Sequence, residues 1–134
     1  MGESAGFAPY RPLKFSVRGS FCAGEECRVH PDLIPLQFQI REVHGTSAKV
    51  SLGQRYVVRG EYALAGTGCF AVSLAVFTKA FGATAYLLPG RGRFEVSTEI
   101  LELAQNSPNG LGFVVANEKT GRSDIVRWIM LSEE

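Results

Sequence analysis

Residues 21–30, FCAGEECRVH, hold two of the three cysteines and one of the two histidines in this 134-residue chain. Three chemistries are open to such a set. Thiolates and imidazole suit zinc, but a closed structural site needs four ligands. Cys22, Cys27 and His30 supply three, and a fourth would have to come from Cys69 or His44, both distant in sequence. A Cys22–Cys27 disulfide could close the short loop through Ala23 and Gly24, but so short a loop removes little unfolded-state entropy and leaves Cys69 odd. A nucleophilic cysteine needs an oriented base within hydrogen-bond reach. Cys27, His30 and Asp32 are clustered in sequence, yet such partners usually come from different elements, and Pro31 biases His30 toward an extended backbone. A polar turn over Ala23 to Glu26, flanked by cysteines acting as small buried residues, outweighs all three.

Other residue groups carry chemistry of a milder kind. The run PGRGR, residues 89–93, is read as a glycine-rich loop presenting Arg91 and Arg93. Guanidinium forks suit phosphate or carboxylate, although no lysine and Ser/Thr follow the glycines as a phosphate-binding loop requires. Arg55, Arg59 and Glu61 fall on one side of an extended segment and form either a solvated face or a polar ligand surface. Tyr10, Tyr62, Tyr86 and Trp128 have the polar-tipped rings that saccharide platforms and interfaces use. For Trp128 the expectation is a core position on the second side of its strand. Glu95, Glu99 and Glu102 are close in sequence, but nothing marks a pair across a cleft, so they are read as solvent-facing. The ligand-binding candidates are therefore Arg55, Arg59, Glu61, Tyr86, Arg91, Arg93 and Trp128. No catalytic residue is assigned and no cofactor is implied.

The elements that must position these residues follow from a period of two. Leu13, Phe15 and Val17 alternate with Lys14, Ser16 and Arg18; Leu36, Phe38 and Ile40 alternate with Gln37, Gln39 and Arg41. Tyr56, Val58, Tyr62 and Leu64 oppose Arg55, Arg59 and Glu61. Phe94, Val96, Thr98 and Ile100 oppose Glu95, Ser97 and Glu99, and Ile125, Arg127 and Ile129 oppose Val126, Trp128 and Met130. Half-buried antiparallel strands read this way. Residues 70–77 are apolar on both faces, with Ala71, Ser73 and Ala75 on the smaller one, which predicts a central strand in preference to a buried helix. Turn signals at 44–47, 65–68, 88–93, 106–110 and 117–122 separate the runs, and Gly121 is placed at a positive φ in a hairpin. TEILELAQ, residues 98–105, is the one stretch with helical-turn character.

Two stretches resemble a known kind of domain. LGQRYVVRGEYAL, residues 52–64, has a glycine turn, a Tyr-x-Val and a long strand, and GRGRFEVSTEI, residues 90–100, has a glycine loop feeding a Phe-x-Val run. Both are similar to strands of jelly-roll carbohydrate-binding-module-like β-sandwiches. The resemblance implies a sandwich fold with exposed aromatics at a binding face. It also implies a structural calcium site, for which the sequence has no acidic loop pattern.

Composition narrows the remaining classes. One domain over residues 1–134 is expected, with 1–10 as an N-terminal arm, and a chain of this size can bury a core without staples. Fourteen Lys and Arg against thirteen Asp and Glu give a net charge of +1, which argues against nucleic acid and against an anionic membrane surface. The longest strongly apolar run, residues 69–77, is far short of a bilayer span, and MGESAGFAPYRPLKF has no apolar segment of the signal-peptide kind. The expectation is thus an all-β, antiparallel two-sheet sandwich of seven to nine strands, jelly-roll-like, with a small closed barrel as the alternative. Its function is read as non-enzymatic binding of a saccharide or a protein surface, with self-association through a sheet face or edge also open. The alternative is a small pocket-containing barrel or enzyme using Cys27, His30 and the Arg91/Arg93 loop.

Overall fold

The computed structural model describes residues 10–18, 36–65, 69–76, 79–80, 84–103 and 108–132. Residues 19–35, and with them Cys22, Cys27 and His30, lie outside the described residues. The described chain is all β. Its strands are β1 (Arg11–Pro12), β2 (Phe15–Arg18), β3 (Leu36–Gly45), β4 (Arg55–Leu64) and β5 (Phe70–Val76). They continue as β6 (Lys79–Ala80), β7 (Ala85–Leu87), β8 (Gly90–Glu99), β9 (Gly110–Asn117) and β10 (Arg122–Leu131). One sheet has the order β1-β3-β4-β8; the other has β2-β10-β9-β5-β6, with β7 also paired to β5. Every pairing is antiparallel. The sheets face each other as a sandwich and do not close into a barrel, so the barrel alternative is set aside.

Alternation explains which residues fill the space between the sheets. Tyr56, Val58 and Leu64 on β4 and Phe94 and Val96 on β8 pack against Phe70, Val72 and Leu74 on β5, Leu111, Phe113 and Val115 on β9, and Ile129 on β10. Phe113 sits among the aromatics, with ring centroids 4.4 Å from Phe38 and 5.3 Å from Phe94. Each such side chain contributes about 1.5–3 kcal/mol on burial. The expected faces of β4 and of residues 94–100 are those observed. Residues 70–76 form a strand buried along its whole length and flanked by β9 on one side, as a central strand should be. Gly121, at φ 77°, closes the β9–β10 hairpin, where Asn117 Oδ1 accepts hydrogen bonds from the N–H groups of Lys119 and Thr120.

Four expectations need correction. Arg91 and Arg93 are not in a loop: they belong to β8, opposite Ala63 and Glu61, because the full length of β4 offers pairing partners as far as Gly90. Residues 98 and 99 complete β8, and 100–103 are irregular without helix; 104 and 105 lie outside the described residues. Trp128 is half-buried on the outer face of the larger sheet, since Ile129, next to it, points into the core. Val17 is 43% exposed because β2, among the described residues, is an edge strand paired only with β10.

Two β-bulges break the period-two pattern. One extra residue, Arg41, stands in β3 between the pairs Ile40–Gly60 and Glu42–Arg59. A second, Val126, stands in β10 between Ile125–Val114 and Arg127–Phe113. An extra residue reverses the phase of everything beyond it. Val43 therefore faces the core after Ile40 does, and Arg127 falls in the inner register, where its guanidinium lies 5.7 Å from the centre of the Phe38 ring.

Candidate functional site

The outer face of the four-stranded sheet gathers most of the charged residues that the strands alternate outward. β4 contributes Arg55, Arg59 and Glu61; β8 contributes Arg91, Arg93, Glu95 and Glu99. The bulge in β3 adds both Arg41 and Glu42, where strict alternation would have sent one of them inward. Cross-strand register then sets opposite charges side by side. Arg59 is directly opposite Glu95 on β8 and Glu42 on β3, while Glu61 is opposite Arg93.

The resulting contacts form a lattice. Arg59 Nε donates to Glu95 Oε1 at 2.9 Å, and Arg59 Nη1 lies 3.6 Å from Glu42 Oε1. Arg41 Nη2 donates to Glu61 Oε1 at 3.2 Å, Arg55 Nε is 3.6 Å from Glu99 Oε1, and His44 Nδ1 is 3.7 Å from Glu42 Oε1. The hydrogen bond and charge of Glu95 raise the pKa of the Arg59 guanidinium further above its already high value, so Arg59 is a fixed cation. These pairs are exposed to solvent, which makes each of them weak as a source of stability. Among the described residues, no ion pair or hydrogen bond holds the guanidinium of Arg93.

A groove of about 420 Å³ runs across this face, lined by Arg41, Glu42, Arg59, Gly60, Glu61, Arg93, Phe94 and Glu95. Three cations and three anions line it, so it is locally neutral while strongly patterned. Gly60 shapes its floor. A Cβ there would point inward, collide with the Gln39 carbonyl and approach the Phe94 ring to 2.6 Å, so the core beneath the groove requires glycine at this position. Phe94 itself is only 5% exposed and gives no stacking platform. A second groove of about 450 Å³ lies at one end of the sandwich, between residues 11–14, 47–49 and Ser132.

The site therefore joins residues that the sequence placed in separate groups. Arg55, Arg59 and Glu61 share one face as expected, and Arg91 and Arg93 join them from β8. Tyr86, 71% exposed on β7, and Trp128 on β10 belong to the other sheet and do not reach this face. Sequence reasoning missed Arg41, Glu42 and the partnership of Glu95 with Arg59. A signal for the first two exists: Arg41 and Glu42 stand as two consecutive charged residues between inward Ile40 and Val43, which is how a bulge interrupts alternation.

Each of the three carboxylates in the groove lies against a guanidinium, so the face carries fixed charge of both signs in alternation. Among the described residues, no three His, Cys, Asp or Glu side chains are grouped to hold a metal ion. Cys69 is an exposed free thiol just before β5, and its carbonyl accepts the Glu118 N–H. Among the described residues no helix is long and apolar enough to cross a membrane. Comparison with protein-family models, with curated proteins and with solved structures finds no match for this chain.

Proposed function

We propose that this domain is a non-enzymatic binding module that docks a protein surface on the outer face of its four-stranded sheet. The observation that carries the reading is the groove over Gly60, where three arginines and three glutamates alternate across three strands. Such a pattern selects a partner with matching charges of both signs, and complementarity of that kind governs specificity and encounter more than raw affinity. Arg93, with no carboxylate of its own among the described residues, is the position for an acidic side chain of the partner. A saccharide is favoured less at this face because its floor offers no exposed ring; the exposed Tyr86 on the other sheet is where that second reading would sit. The jelly-roll form of the sandwich is likewise a proposal, supported by the alternation of β4, β5, β8 and β9 between the two sheets.

A displayed library of conformationally constrained peptides, selected in parallel with a glycan array, tests this. Selected peptides should be rich in carboxylates and should lose binding to Arg59→Ala and Arg93→Ala proteins whose circular dichroism is unchanged. Peptides that ignore both substitutions, or glycan binding abolished by Tyr86→Ala alone, would refute it.

A further inference from the structure

The four-stranded sheet ends on β8, a ten-residue strand which, among the described residues, pairs on one side only. Its backbone direction can be worked out. The Arg55 N–H donates to Thr46 Oγ1 at 2.9 Å and its carbonyl accepts the Thr46 N–H at 3.0 Å, so Arg55 turns both groups toward β3. Alternate residues of β4, from Tyr56 on, therefore turn theirs toward β8. From the other strand, the Ile100 N–H donates to the Gln54 carbonyl at 2.9 Å, which turns Ile100, and with it Thr98, Val96, Phe94 and Gly92, toward β4. The N–H and C=O groups of Arg91, Arg93, Glu95, Ser97 and Glu99 are left pointing away from the sheet.

Such an edge is a template for another strand unless something blunts it. β8 carries none of the usual structural obstacles. Its register with β4 is continuous from Arg55–Glu99 to Leu64–Gly90 without a bulge, and no proline lies within it. The other edges among the described residues differ: β1, β6 and β7 have two or three residues, β2 has four, and the part of β3 that β1 leaves uncovered is bulged at Arg41.

We propose that β8 pairs with β8 of a second copy of this chain, antiparallel, in the register that sets Arg93 of each copy opposite Glu95 of the other. The charges favour this register over its two neighbours. Shifting the two strands by one step of the two-residue repeat in one direction sets Glu95 against Glu95; the same shift in the other direction sets Arg93 against Arg93. Like charges directly opposite are destabilising. In the proposed register, a row of alternating sign crosses the junction: Glu61 and Arg93 of one copy, then Glu95, Arg59 and Glu42 of the other, and the two-fold axis repeats it. Arg93 thereby gains a carboxylate, and Glu95 comes to lie between two guanidinium groups. The inner faces match as well, since Phe94 meets Phe94 and Gly92 meets Val96 across the axis. The paired region carries about eight main-chain hydrogen bonds between the copies. This inference rests on the strand edge; Arg93 and Glu95 also line the groove, and in the dimer the acidic side chain that Arg93 takes is Glu95 of the second copy.

Sedimentation equilibrium on the full chain, with circular dichroism on every variant, tests it. The wild type should reach twice the chain mass. Ser97→Pro removes an N–H that points away from β4, so that variant should stay folded and run as a monomer. Val96→Pro removes an N–H within the β4–β8 ladder and should lose the fold, which checks the assignment of the two sides. Arg93→Glu and Glu95→Arg should each weaken the dimer by about tenfold or more, since each sets like charges opposite one another twice. Mixed together, these two variants should form a heterodimer, because each then faces its opposite. A wild type that stays monomeric into the millimolar range overturns the proposal, as does a dimer that survives Ser97→Pro. A mixture that stays monomeric overturns the register and the proposal with it.

Discussion

Val58 and Arg59 are adjacent on β4 and should respond to substitution in opposite ways. Val58 has no solvent exposure and is paired with Val43 on β3 and Val96 on β8. Val58→Asp loses the burial of an isopropyl group, about 1.5–3 kcal/mol. It also leaves a carboxyl in an apolar layer, where remaining neutral at pH 7 costs roughly 4 kcal/mol for the three or so pKa units by which its titration must rise. The total of roughly 6 kcal/mol is comparable to the entire stability of many domains, about 5–15 kcal/mol. The variant should therefore be unfolded or close to it at room temperature. Arg59→Ala removes two solvent-exposed ion pairs, to Glu95 and Glu42, and empties no core volume. Its melting midpoint should stay within about 3 °C of the wild type. Thermal and urea unfolding followed by far-UV circular dichroism and by the fluorescence of the single tryptophan would compare the two. If Arg59→Ala proved the more damaging, the assignment of faces, and with it the charged lattice, would be wrong.

Asn109 pins the segment after β3 to the end of β10: its Oδ1 accepts the Val50 N–H at 2.7 Å, and its Nδ2 donates to the carbonyls of Ala48 and Leu131, each at 3.0 Å. Asn109→Ala should cost about 2–3 kcal/mol and lower the melting midpoint by roughly 10 °C, with Asn109→Asp no better because its second oxygen would face two carbonyls. Burial pushes the Tyr56 phenol up to about 12, and its hydroxyl donates to the Lys49 carbonyl at 3.0 Å. The folded chain thus holds that proton more tightly than the unfolded chain, whose tyrosines ionise near 10. The linked stability is fully present below pH 10 and is lost as pH rises toward and through about 12. Tyrosinate absorbance should show a phenol ionising together with loss of the β spectrum near pH 12, and Tyr56→Phe should move that loss to higher pH.

Much of this architecture is legible in the chain itself. Alternation places Tyr56, Val58 and Leu64 inward and Arg59 and Glu61 outward, because a strand sends successive side chains to opposite faces whatever it pairs with. The doubly apolar run at 70–76 marks a buried central strand for the same local reason, and Gly121 marks a hairpin because few other residues tolerate its backbone angle. The PGRGR run misleads because glycine suggests a turn, whereas Gly92 and its neighbours are drawn into β8 by the full length of β4 beside them. The site needed more. Arg59 meets Glu95 thirty-six positions later, and Arg41 meets Glu61 twenty positions later, through the register of three strands. One extra residue in β3 decides that Arg41 and Glu42 both reach the outer face, and the order of the sheet leaves β8 at its edge among the described residues. Side-chain period is a property of one strand and can be read from one segment. Register, bulges and edges are relations between segments, set only when distant strands compete for the same hydrogen bonds and the same core.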